Sequence, residues 1–129
     1  MHLLTDLVKE EKLDGVAVTE TWLLESDSSS FVNILGFKLF RCDVAGSNRK
    51  HGVCLYLKSS MTVIEETLDC PNSVCVKMLD LELRLLVVYR APSYTESEND
   101  QQKHILVNLC GEQETLVLGD FNLPSLKWN

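Results

Sequence analysis

The stretch Asp80–Tyr89, DLELRLLVVY, opens in strict alternation and closes in a continuous apolar run. A strand with that pattern has its second half buried on both faces, so it needs a layer above and a layer below. The triplet Leu116-Val117-Leu118 reads as a second buried strand. It leads into Gly119-Asp120-Phe121-Asn122-Leu123-Pro124, where Gly119 is expected to release the backbone. If the chain stays extended, Asp120 and Asn122 point to the same side. A carboxylate and a carboxamide then lie side by side, just past the C-terminal end of a core strand. Pro124 stops further ladder pairing at its own nitrogen. In layered α/β proteins the carboxyl ends of strands are where ligands and chemistry sit. An ordinary Asp/Asn/Pro turn is the other reading of the same residues.

The 129 residues suffice for one domain and not for two. A chain of that size can bury roughly two-thirds of its unfolded surface. No stretch of about 18 apolar residues is present, so no membrane span is expected. The N-terminus lacks the basic-then-apolar pattern of a secretory signal. A net charge of −7 argues against broad nucleic-acid binding by charge alone. It is compatible with a metal-assisted phosphate site, because Mg²⁺ is held through carboxylates. Cys42, Cys54, Cys70, Cys75 and Cys110 are odd in number and match no zinc spacing. They read as reduced thiols in an intracellular chain.

Residues 2–12 set Leu3, Leu4, Leu7 and Val8 at helical spacing. Asp14-Gly15 turns the chain into a short strand, Val16–Trp22. Alternation places Glu20 on the face of Val16 and Val18, where it must reach solvent or find a partner. A polar loop, 25–30, precedes a strand over Phe37–Arg41. The loop Asp43–His51 carries the one locally basic patch, with Arg49, Lys50 and His51, open to reading as a phosphate contact or as a solvated loop. Strands follow at Gly52–Lys58, Met61–Leu68 and Ser73–Met78, and with Tyr89 closing the series the spacing suggests one antiparallel meander from Leu57 to Tyr89. Gln101–Cys110 is helical, with Thr95 or Ser97 as N-cap and Gly111 as the stop. Three strands therefore end in Glu20, Tyr89 and Asp120/Asn122. If they are neighbours, four polar groups meet at one rim, as in hydrolytic sites built on a hard cation.

Thr19-Glu20-Thr21-Trp22-Leu23, His51-Gly52-Val53-Cys54-Leu55-Tyr56-Leu57-Lys58, Val87-Val88-Tyr89-Arg90-Ala91-Pro92-Ser93 and Leu118-Gly119-Asp120-Phe121-Asn122-Leu123-Pro124 occur in that order. The set resembles the endonuclease/exonuclease/phosphatase superfamily. It is most similar to the endonuclease domain of LINE-type non-LTR retrotransposons, which is apurinic-endonuclease-like. The tail Leu123–Trp128 shares that likeness. The resemblance implies an α/β fold, a partial two-sheet α/β sandwich with antiparallel or mixed sheets and helices outside. It implies Glu20 as the ligand of Mg²⁺ (or Mn²⁺) and Asp120 as the group that orients or deprotonates the attacking water. Asn122 would hold the scissile phosphate or that aspartate, and Tyr89 would contact the phosphate.

The family pattern begins with a strand bearing an asparagine and ends in a Ser-Asp-His-type motif, and neither has a counterpart here. Residues 1–129 are therefore expected to form a single, incomplete domain of this type. His2, His51 and His104 lie outside any such motif and are read as solvated or structural. The resemblance implies a Mg²⁺-dependent endonuclease that hydrolyses DNA phosphodiester bonds, impaired by the missing groups. Its implied partners are DNA and a reverse-transcriptase region of the same element, and its implied location is the nucleus. A non-catalytic remnant with a binding role is the alternative. A phosphatase for small phosphate esters or phosphoinositides is a third reading.

Overall fold

The computed structural model describes residues 2–46, 50–125 and 127, with His2 described by its backbone alone. Among the described residues the order is α1 (His2–Glu10), β1 (Gly15–Thr19), β2 (Phe37–Cys42), β3 (Val53–Lys58), β4 (Val63–Glu66), β5 (Ser73–Met78), β6 (Leu83–Tyr89), α2 (Glu96–Glu112) and β7 (Thr115–Asp120). Two sheets result. One has the order β1-β3-β2 and is antiparallel; the other is β4-β5-β6-β7, with β6 and β7 parallel.

The central strands explain the layering. In β3, Val53, Leu55 and Leu57 face the second sheet, where they meet Val74, Val76, Leu85, Val87 and Tyr89. Cys54 and Tyr56 point the other way, against Val8 of α1, Val16 and Val18. In β6, Leu86 and Val88 turn from the inter-sheet core toward Leu109, Ile105 and Leu106 of α2. The two-face burial expected of Leu85–Tyr89 is thus realised by a sheet on one side and a helix on the other. Each of these fully buried Val and Leu side chains contributes about 1.5–3 kcal/mol relative to exposure. The expected two-sheet α/β sandwich with helices outside is the observed architecture. Among the described residues no helix is long and apolar enough to cross a membrane.

Four local expectations are corrected. The meander does not run from Leu57 to Tyr89. β3 is flanked by β1 and β2 and has no free edge, so the chain crosses to the other sheet, and only β4-β5-β6 form a meander. The segment before β6 is not strand from Asp80. Leu79–Leu81 form a 3-10 turn closed by Glu82 at φ 50°, and pairing begins at Leu83. Gly111 lies within α2 and does not end it, although Thr95 caps the helix as expected by accepting the Glu98 N–H at 3.2 Å.

The fourth correction bears on the site. Residues 116–118 are not a core strand. β7 pairs with β6 on one side, and no strand among the described residues pairs with its other edge. Val117 packs under α2, but Leu116 and Leu118 are 47% and 37% exposed. An apolar triplet has the same sequence signature in a central strand and in an edge strand with one covered face.

Candidate active site at one rim of the sandwich

The ends of β1, β3, β6 and β7 converge. Thr19 is opposite Val53, and Tyr89 is opposite Asp120. Past these ends the backbone departs from strand geometry. Glu20, Trp22, His51, Asn72 and Asn122 have φ of 55°, 57°, 61°, 52° and 48°. Non-glycine residues in this left-handed region are uncommon and cost energy, and they concentrate at functional sites. Backbone bonds hold them, with Thr21 N–H donating to Gly52 O at 3.2 Å and Trp22 N–H to His51 O at 2.9 Å.

The turn at Glu20 changes its side. Strict alternation would have set it with Val16 and Val18, on the α1 face. The left-handed backbone instead brings it toward the inter-sheet face, where the Tyr89 hydroxyl donates to Glu20 Oε1 at 3.1 Å. The expectation that Glu20 shares a face with Val16 and Val18 is therefore corrected, while its juxtaposition with Tyr89 is observed.

Asp120 lies across from Tyr89 in the parallel ladder. Its Oδ1 accepts the Asn122 N–H at 3.1 Å, and the Asn122 side-chain amide donates to Arg90 O at 2.8 Å. The two side chains are thus joined through a tight turn and do not stand as extended i, i+2 neighbours. Gly119 serves this approach by lacking a side chain. A Cβ there would overlap the Val88 carbonyl. An open cleft of about 440 Å³ is lined by residues 119–124.

The Tyr89 phenol reports on the whole cluster. Its pKa is raised by burial, then by its hydrogen bond to Glu20 and by the charges of Glu20 and Asp120, while Asn122 opposes the shift. The hydroxyl is therefore a neutral donor at physiological pH. Glu20, Asp120, Tyr89 and Asn122, the four site residues expected from the sequence, are brought together.

Three further residues contribute: His51, expected in the basic loop as a phosphate contact or as solvated or structural, and Asn72 and Arg90, to which the sequence assigns no role. The half-buried His51 ring lies against Tyr89 with centroids 5.3 Å apart. Its signal was a residue before Gly52 forced into a turn by the following strand. Asn72, just before β5, ties the two sheets together. Its Oδ1 accepts the Gly52 N–H at 3.3 Å, its amide donates to Tyr94 Oη at 2.8 Å, and its carbonyl accepts the Tyr89 N–H at 2.9 Å. Arg90 is the third. His104 is exposed on α2, beside Asn108. Arg49, Leu126 and Trp128 lie outside the described residues, as does the side chain of His2.

Among the described residues no group of three or more His, Cys, Asp or Glu side chains converges. A hydrated Mg²⁺ does not require one, since it is bound through one or two carboxylates and keeps several waters. Glu20 and Asp120 are both exposed near the Tyr89 phenol, and two carboxylates are a donor set such an ion accepts.

No family model matches the chain, and no curated protein matches it by sequence. Among solved structures it is similar to the catalytic domain of human Nocturnin, solved with a bound sulfate anion, at a TM-score of 0.62 and 13% identity. The match covers 98% of this chain and 57% of that one. The chain thus has the fold of that domain over somewhat more than half its length, which is the two-sheet α/β sandwich implied by the endonuclease/exonuclease/phosphatase resemblance.

Proposed function

We propose that the chain is a Mg²⁺-dependent phosphodiester hydrolase of the retrotransposon endonuclease kind, with DNA as its substrate. The observation that carries this reading is the Tyr89 hydroxyl on the Glu20 carboxylate, with Asp120 across the ladder. An acid, a phenol and an acid–amide turn then meet at one rim, beside the open cleft lined by residues 119–124. The bound sulfate of the Nocturnin domain supports it too, because sulfate is a tetrahedral oxyanion like phosphate.

Glu20, with Asp120 beside it, would hold the ion. Mg²⁺, when bound, supplies polarisation of a phosphoryl oxygen and stabilisation of the leaving group. Asp120 accepts a proton from the attacking water through a carboxylate fixed by the Asn122 N–H. Tyr89, kept protonated, would donate to a phosphate oxygen in place of Glu20 Oε1. The Asn122 amide adds a neutral donor at the same place. The His51 ring lies against Tyr89 and Lys50 precedes it in the chain, so a phosphate backbone brought to this rim would meet the one locally basic loop. A reverse-transcriptase region of the same element as partner and a nuclear location belong to this proposal.

The experiment is nicking of supercoiled plasmid by the purified protein with Mg²⁺ or Mn²⁺. Nicking that is lost on chelation, and reduced about 10²- to 10⁴-fold by Asp120→Ala, supports the enzyme. Absence of nicking, with Mg²⁺ leaving thermal stability unchanged, supports the non-catalytic remnant. Release of phosphate from small monoesters without nicking supports the phosphatase reading.

A further inference from the structure

Arg90 follows Tyr89 at the end of β6, and its guanidinium points away from solvent into the turn that carries Asp120 and Asn122. Its Nη1 donates to two main-chain carbonyls of that turn, Phe121 O and Asn122 O, each at 3.2 Å. Its Nε donates to Asn99 Oδ1 in the first half of α2 at 2.8 Å. The Arg90 main chain joins the same turn, its N–H donating to Asp120 O at 2.8 Å and its carbonyl accepting from the Asn122 amide at 2.8 Å. Arg90 and Asn122 thus grip each other reciprocally, and α2 anchors the grip.

A solvated arginine at a rim would bind a phosphate directly. This one commits Nε to an amide oxygen and Nη1 to two main-chain carbonyls. β7 is an edge strand, so beyond Gly119 the turn is held from the β6–α2 side, by Phe121 packing there, by the Asn122 N–H on Asp120 and by Arg90. The residue on the β6 end is what sets where the Asp120 carboxylate and the Asn122 amide stand.

We infer that Arg90 is a positioning residue for hydrolysis, acting through the 120–122 turn and backed by Asn99 of α2. The inference rests on the hydrolase reading for its kinetic consequence, and on the hydrogen bonds alone for its structural one. A planar fork is needed to span the three acceptors, which a lysine ammonium cannot do. Displacing catalytic groups by about 1 Å costs on the order of 10²-fold in rate.

The test uses Arg90→Ala, Arg90→Lys and Asn99→Ala in the purified protein. Hydrolysis of bis(p-nitrophenyl) phosphate with Mn²⁺ is measured beside the amide NMR signals of Phe121 and Asn122. Arg90→Ala should lower kcat about 10- to 100-fold, leave KM within about twofold, and recover in part when guanidinium is added at non-denaturing concentration. Arg90→Lys should not recover it, which separates the fork from its charge. The Asn122 side-chain amide signal should move toward that of a solvated amide in both.

Wild-type kcat in Arg90→Ala, or a loss that tracks the unfolded fraction and ignores guanidinium, overturns the inference. If the wild-type protein hydrolyses nothing, the hydrolase reading fails by itself. Arg90 is then judged on the NMR signals, where unchanged Asn122 resonances in Arg90→Ala overturn its positioning role. If Arg90→Ala does not fold, Asn99→Ala takes its place, with a smaller fall in kcat and the same signals shifted.

Discussion

The Tyr89 hydroxyl donates to Glu20 Oε1 at 3.1 Å across the gap between the two sheets, linking residues that are far apart in sequence. The bond makes a titration predictable. Burial, the bond itself and the charges of Glu20 and Asp120 all hold the phenol above its ordinary 10.0. Below that value the folded and unfolded chains both carry the proton, and the stabilisation is fully present. As pH rises through the folded pKa the phenolate forms beside two carboxylates and the stabilisation is lost. The near-ultraviolet difference between wild type and Tyr89→Phe should show phenolate appearing above the usual tyrosine range. Glu20→Gln keeps an acceptor but removes a charge, and should bring the midpoint back down. A wild-type midpoint at or below 10.0 contradicts the geometry.

Glu20→Gln also tests the ion. If Glu20 holds Mg²⁺ with millimolar affinity, about 10 mM Mg²⁺ should stabilise the wild-type fold by roughly 1.4 kcal/mol. For a domain of this size that is a rise of about 3–6 °C in Tm. Glu20→Gln should abolish most of the rise while leaving the metal-free Tm close to that of wild type. Calorimetry with and without EDTA measures both.

Gly119→Ala should damage the fold more than a small surface change does. The added Cβ meets the Val88 carbonyl, which is main chain held in the β6 ladder and cannot rotate aside. β7 must move off β6, at a cost of about 1–3 kcal/mol. Urea unfolding should show the lower midpoint, and nicking should fall further than stability does, because Asp120 follows directly.

The residues explain what was legible. Leu85–Tyr89 and Val53–Leu57 announce their layers because burial on two faces leaves a continuous apolar run. The meeting of Glu20, Tyr89, Asp120 and Asn122 was legible because they stand at or shortly beyond the carboxyl ends of apolar segments. The sheet assignment was not, since whether β3 has a free edge depends on β1 and β2 arriving from elsewhere in the chain. Left-handed backbone at Glu20 was equally silent, because glutamate does not favour it and tertiary bonds impose it. Asn72 and Arg90 act through main-chain carbonyls and amides, which carry no sequence signature of their own.

The β7 edge supplies the last prediction. Leu116 is 47% exposed and Leu118 37%, on a strand whose outer edge has no partner among the described residues. Unpaired edge groups flanked by apolar side chains are a template for association. Charge on such an edge opposes it without disturbing the core, because the side chain already reaches solvent. Leu116→Lys should therefore leave the unfolding free energy from urea titration within about 0.5 kcal/mol of wild type. It should also lower the apparent mass of concentrated samples in light scattering. Val117→Lys is the control, since Val117 packs under α2 with Leu86 and Leu109. That substitution buries a charge in an apolar layer and should unfold the protein. Equal effects from the two substitutions would show that β7 does not present the faces described.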